Sequence, residues 1–171
     1  MELPSPLPKS YFKKFSEQPV KIKPYDKKYE KIVKEALRDL NKELAKIKVK
    51  AMPIGATALK ISGKGDLDFG VYISEEKWDD TLKVLINYFK SIKTLNSKGF
   101  AKFSKFYGGY ELEVVVRRGK SASRDKKLIS YLKSHPKTLK EYEDLKNKFS
   151  FSEREYAIQK NKFLRSIIAK I

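Results

Sequence analysis

After Asp26, apolar residues fall at three- and four-residue spacing. Tyr29, Ile32, Val33, Ala36, Leu37, Leu40 and Leu44 predict an amphipathic helix to about Lys46, with Asp26 as its N-cap. Residues 48–54 alternate and read as a short strand. The turn Gly55-Ala56-Thr57 then leads into a short helical segment at 58–61. Residues 66–73 predict a second strand. Residues 75–92, with Trp78, Leu82, Leu85, Ile86 and Phe89 at helical spacing, predict a second long helix. Gly108-Gly109 predicts a hairpin with arms 103–107 and 110–117. A basic loop, 117–127, separates it from helices at about 126–134, 137–149 and 152–170. Ser152 and Glu155 open the last of these in capping-box spacing.

This order predicts an α/β (α+β) fold, a small mixed sheet with flanking helices and a C-terminal helical segment. A single domain is expected over 25–171, with its core to about 118 and its last helices from about 124. Before it, residues 1–24 read as an extended arm, since four of the seven prolines fall by position 19.

Side chains alternate along a strand, so each strand can be divided into faces. In DLDFGVYI, Leu67, Phe69, Val71 and Ile73 share a core face, while Asp66, Asp68, Gly70 and Tyr72 share the other. In YELEVVVRR, Tyr110, Leu112, Val114 and Val116 point one way, while Glu111, Glu113, Val115 and Arg117 point the other. If the two strands are neighbours, up to four carboxylates meet on one side of the sheet. Like charges that close repel unless a cation lies between them. Two magnesium ions about 4 Å apart are the usual answer in phosphoryl and nucleotidyl transfer. The plainer reading is the polar face of two half-exposed strands, with its charges solvated or paired to lysines.

Composition narrows the chemistry. The chain has 171 residues, 40% of them hydrophobic, enough for one domain with a proper core. It has no cysteine and a single histidine, His135, which excludes disulfides and thiolate metal sites and leaves hard, oxygen-ligated cations such as magnesium. His135 precedes Pro136 and reads as a structural loop residue. No apolar run is long enough to span a membrane, and the N-terminus lacks a signal-peptide pattern, so a soluble cytoplasmic protein is expected. The formal charge of +18 predicts a polyanion partner, a nucleotide or RNA. The aromatics of Phe100–Tyr110 either stack bases or fill the core. On the last helices, Tyr142 and Tyr156 read as packing residues, while Lys146 and Lys160 either face a cleft or are solvated.

Gly55-Ala56-Thr57, an eight-residue loop and then Asp-Leu-Asp-Phe resemble the Gly-Ser…Asp-x-Asp signature of the DNA polymerase β-like nucleotidyltransferases. Within that superfamily the chain is most similar to the GrpB family. MPIGATALKISGKGDLDF resembles the family's Ile-Gly-Ser-Thr-Ala…Lys…Asp stretch, and VKIKPYDKKYEKIVKEALRDL its opening strand and helix. YLKSHPKTLKEYEDLKNKF and EREYAIQKNKFLRSI resemble its C-terminal helices.

The resemblance implies that Gly55, Ala56 and Thr57 hold nucleotide phosphates, that Asp66 and Asp68 bind magnesium or manganese, and that a glutamate of the hairpin strand is the third carboxylate. Glu113 is favoured over Glu111 because it directly precedes the valine run into the core. Glu111 remains a further metal ligand. Lys64, Arg117 and Arg118 are expected to contact anions, on position and strand phase alone. The chain also departs from the family. Ala56 stands for the usual serine, with Thr57 beside it to compensate. Glu111 and Glu113 stand where the family has His-x-His, and Ile129 stands for an arginine, with Arg124 nearby. The activity implied is magnesium-dependent transfer of a nucleotidyl group from a nucleoside triphosphate to an acceptor. The alternative is a non-catalytic nucleotide- or RNA-binding protein on the same fold.

Overall fold

The computed structural model describes residues 6–96 and 99–171. The arm carries a one-turn helix α1 (Lys9–Phe12), and the first long helix is α2 (Lys27–Leu44), capped by the Asp26 carboxylate, which accepts from the Lys28 N–H at 2.9 Å. β1 (Ala51–Pro53), α3 (Gly55–Leu59), β2 (Leu67–Ile73) and α4 (Trp78–Phe89) follow. Then come β3 (Thr94–Asn96), β4 (Phe100–Tyr107), β5 (Tyr110–Arg118), α5 (Lys120–Ser134), α6 (Pro136–Lys148) and α7 (Glu153–Ile168). None of the described helices is long and apolar enough to cross a membrane.

The sheet runs β1-β2-β5-β4-β3. β2 and β5 pair in parallel at its centre, and every other pair is antiparallel. One face carries the main core. Leu67, Phe69 and Val71 of β2, Leu112, Val114 and Val116 of β5, and Phe103 of β4 are all fully buried. They meet Ala36, Leu40 and Leu44 of α2 and Trp78, Leu85 and Phe89 of α4. These are the faces that alternation assigns, because a one-residue slip would drive Asp66 and Asp68 into hydrocarbon. A second core joins α3 to the C-terminal helices through Leu59, Ile61, Ile129, Leu132, Tyr142 and Ile167. Ile129 is thus a packing residue.

Four local expectations are corrected. The short helix after the first strand begins at Gly55, not at residue 58, and takes in the Gly-Ala-Thr turn. β3 is a fifth strand whose three residues are all exposed, so it has no apolar alternation to betray it. The expected basic loop 117–127 is the end of β5 and the first turns of α5. Gly119, at φ 69°, turns the chain in one residue, and no loop is needed. The expected opening strand is reduced to a single bridge, Lys23 with Gly63.

Candidate active site

Asp66 and Asp68 sit where β2 begins, and their position is fixed from behind. The Thr57 hydroxyl accepts from the Asp68 N–H at 3.0 Å and donates to the Asp66 carbonyl at 3.2 Å. The Tyr29 hydroxyl, brought in by α2, also donates to that carbonyl and lies 3.1 Å from Thr57 Oγ1. Thr57 is 7% exposed, and its hydroxyl holds the backbone of the carboxylate segment. Thr57→Val, nearly equal in volume, strands the Asp68 N–H and is expected to lower unfolding stability by about 1–3 kcal/mol in urea titration. Gly55 stands in front of the pair. Its φ of 55° favours glycine, and a Cβ there would lie 3.1 Å from Asp68 Oδ2, close enough that the carboxylate would have to shift.

Parallel pairing of β2 with β5 sets Asp68 opposite Glu113. The mutual charge is felt. Burial, then Glu113 and Glu111, raise the Asp66 carboxyl above its ordinary range. Burial pushes Asp68 up to about 7, with Asp66 and Glu113 adding to the rise and Lys160 opposing it. Glu113 itself is held by lysines, Lys102 at 2.6 Å and Lys93 at 3.4 Å, and Glu111 by Lys93 at 3.1 Å. As the side chains stand, no three acidic or histidine groups among the described residues are grouped closely enough to hold a metal ion. The donors are nonetheless of the right chemistry for a hard divalent cation, and burial raises both aspartate carboxyls despite the nearby lysines, so a cation bound between them would favour their ionised forms. Binding there would require Glu113 to leave Lys102.

The C-terminal helices complete the site. Lys146 of α6 is 2% exposed and donates to the Ser62 carbonyl; burial, then Lys160, lowers it to about 8. Lys160 of α7 is pushed up by Tyr142, Tyr156 and Asp68. Glu143 accepts from the Ser62 N–H at 2.7 Å, tying the loop after α3 to α6. A cavity of 340 Å³ opens between these helices and the sheet, bordered by Gly55, Ala56, Asp66, Asp68, Glu113 and the lysines 64, 102, 146 and 160. A second cavity, of 310 Å³, shares Ala56, Lys64, Asp66 and Asp68 with the first and is faced by Tyr25, Tyr29 and Tyr110.

Of the residues singled out in the sequence, Gly55, Ala56, Lys64, Asp66, Asp68 and Glu113 border one cavity. Lys64 lines both cavities and lies 3.6 Å from Glu153. Arg117 is not part of this group. It lies four residues beyond Glu113, pairs with Asp125 at 2.7 Å, rests on the Phe100 ring and borders neither cavity. Arg118 pairs with Glu75 at 2.7 Å and covers Trp78. Lys102 goes unnoticed because the predicted hairpin arm begins at 103. Extending that strand to Phe100, as observed, sets Lys102 and Ser104 on the carboxylate face, with Ala101 and Phe103 in the core.

A five-stranded mixed sheet with a carboxylate pair at the start of a central strand, a short helix just before it and a helical layer across the carboxylate face is a fold of nucleotidyltransferase type. The chain belongs to the GrpB family, described as GrpB protein, whose match covers residues 19–170. It resembles the crystal structure of the conserved protein GrpB from Enterococcus faecalis, at 19% identity and a TM-score of 0.65, over 88% of this chain and 98% of that one. It is also similar to Cid1 poly(U) polymerase, at 18% identity and a TM-score of 0.42, over 71% of this chain and 42% of that one. A CdnC:HORMA-deltaN complex from E. coli MS115-1 aligns at 14% identity and a TM-score of 0.46, over 80% of this chain and 52% of that one. No curated protein matches the sequence.

Proposed function

We propose that this protein is a nucleotidyltransferase that moves a nucleotidyl group from a nucleoside triphosphate to an acceptor and releases pyrophosphate. One observation carries the reading: the carboxylates of Asp66, Asp68 and Glu113 border a single cavity together with four lysines, 64, 102, 146 and 160, and Glu153 at its rim beside Lys64. Carboxylates alone suit a cation and lysines alone suit an anion; their combination suits a metal-bound triphosphate. Asp66, Asp68 and Glu113 would hold magnesium or manganese, which would supply charge neutralisation at the transferred phosphoryl group. Gly55 and Ala56 form the wall against which the phosphates lie, and Thr57 keeps the Asp66–Asp68 backbone rigid from behind. Lys146 and Lys160 neutralise the departing pyrophosphate. Glu113, released from Lys102, accepts the proton of the acceptor hydroxyl as its oxygen bonds to the α-phosphorus and the bond to pyrophosphate breaks. The tyrosine-faced cavity across Asp66 and Asp68 gives the acceptor its approach.

Two observations favour the other reading, a binding protein without catalysis. Lys102 and Lys93 already neutralise Glu113, and Ala56 offers no hydroxyl. In that case nucleotide or RNA would bind through the lysines, with affinity falling steeply in salt and indifferent to magnesium. The two are separated by incubating the protein with triphosphates labelled at the α-phosphate, magnesium, and small-molecule, protein or RNA acceptors. Labelled product with pyrophosphate release, lost in Asp68→Ala, supports transfer. Triphosphate binding without labelled product from any acceptor class supports the binding protein.

A further inference from the structure

The family correspondence begins at residue 19, yet the segment before it reaches the candidate active site. Leu7, Tyr11, Phe12 and Phe15 border the same 340 Å³ cavity as Asp66, Asp68, Glu113 and the lysines. The arm is fastened there. The Ser16 N–H and hydroxyl donate to Glu153 Oε2 at 3.2 and 3.1 Å, and Glu17 accepts from the Ser152 hydroxyl at 2.8 Å and from Arg154. Two backbone bonds from the start of α7 complete the attachment, Glu153 N–H to the Gln18 carbonyl at 2.9 Å and Arg154 N–H to the Ser16 carbonyl at 3.0 Å. The first turn of α7 leaves its N–H groups without partners within the helix, and the arm supplies them.

What the arm presents is a ring cluster that its own packing covers only in part. Tyr11 meets Phe12 at 5.3 Å and Phe15 at 6.0 Å between ring centres, and the Lys14 ammonium stands 3.8 Å over the Tyr11 ring. Tyr11 remains 39% exposed and Leu7 40%, although both lie against a cavity. Apolar surface held at a charged cleft by fixed hydrogen bonds is surface that a ligand would cover. A nucleotide has the matching two-part chemistry, a polyanion for the carboxylate–lysine side and a flat ring for the aromatic side. Base–aromatic stacking tolerates any base, since each has a π-face.

We propose that the arm forms the nucleobase subsite of this chain, with Tyr11 and its neighbours Phe12 and Phe15 as the stacking platform. The proposal rests on the triphosphate reading above and deepens it, and the test separates the two. Calorimetry compares a nucleoside triphosphate with inorganic tripolyphosphate, both with magnesium, on wild type, Tyr11→Ala, Tyr11→Phe and Phe15→Ala. Wild type is expected to bind the nucleotide more tightly than tripolyphosphate. Tyr11→Ala and Phe15→Ala are expected to lose about tenfold in nucleotide affinity, the scale of one stacked base, with tripolyphosphate unchanged. Tyr11→Phe keeps the ring and keeps the affinity. Nucleotide binding unaltered by the alanine variants overturns the proposal, and so does an equal loss for both ligands, which would make the arm a structural brace. If wild type binds neither ligand, the triphosphate reading falls and the base subsite falls with it.

Discussion

Lys160→Met is expected to weaken nucleoside triphosphate binding about a hundredfold, while Lys162→Met, an exposed neighbour on the same helix, leaves it unchanged. The difference lies in what surrounds each ammonium. Lys160 sits among Tyr142, Tyr156 and Asp68, and its charge is favoured by all three. A cation held in place by the protein has little reorganisation left to undergo when phosphate arrives, whereas a solvated lysine must give up its water. Lys160 is also the cation that opposes burial at Asp68 most strongly. With it gone, Asp68 should hold its proton to still higher pH, so metal-dependent binding would shift toward alkaline conditions. Fluorescence titration with a labelled triphosphate from about pH 6 to about pH 9 brackets the Asp68 transition and reads both effects. Equal affinity in the two lysine variants would place the phosphates elsewhere.

Asp68→Asn carries the second large effect, and it runs against the usual direction for a substitution at a buried site. The Asp68 carboxyl ionises at about 7 in the folded chain, against an ordinary value of 3.8. Between those two pH values the native state keeps a proton that the unfolded chain has released. Stability of the metal-free protein should therefore fall as pH rises from about 4 through about 7. The loss is on the order of 4 kcal/mol, and an asparagine at this position has no proton to lose. Asp68→Asn should accordingly be more stable than wild type at about pH 8 and nearly equal to it at about pH 4, as measured by urea unfolding in chelator. The gain comes first from removing a charge the fold buries and second from removing a carboxylate beside Asp66 and Glu113. A variant less stable than wild type at the higher pH would mean that the carboxylate is instead satisfied by Lys160.

The parts of this arrangement that could be read from the chain are those set by period. Two-residue alternation assigned Leu67, Phe69 and Val71 to the core and Asp66 and Asp68 to the other face, and the register of Asp68 against Glu113 follows once β2 and β5 are neighbours. Three- and four-residue spacing gave α2 and the C-terminal helices. What alternation cannot see is which charge meets which. Thr57 reads as a phosphate contact, and nothing in its neighbours along the chain shows that its hydroxyl also bonds the backbone of Asp66 and Asp68. Arg117 has the right phase for the site, but strand rise carries it roughly 13 Å past Glu113, into the reach of Asp125. Lys146 is identical in sequence terms to a solvated helix lysine, yet it is buried with its ammonium donating to Ser62, 84 positions away. The arm has no period at all, because its α1 is one turn long and its anchorage comes from residues of α7.

Whether Asp66 and Asp68 form a metal-dependent nucleotide site is decided by calorimetric titration of the four common nucleoside triphosphates into wild type and Asp66→Ala/Asp68→Ala, with magnesium and with chelator. The expected result is binding to wild type that requires magnesium and disappears in the double variant. Binding that ignores both the metal and the aspartates, or no binding to wild type at all, would contradict it.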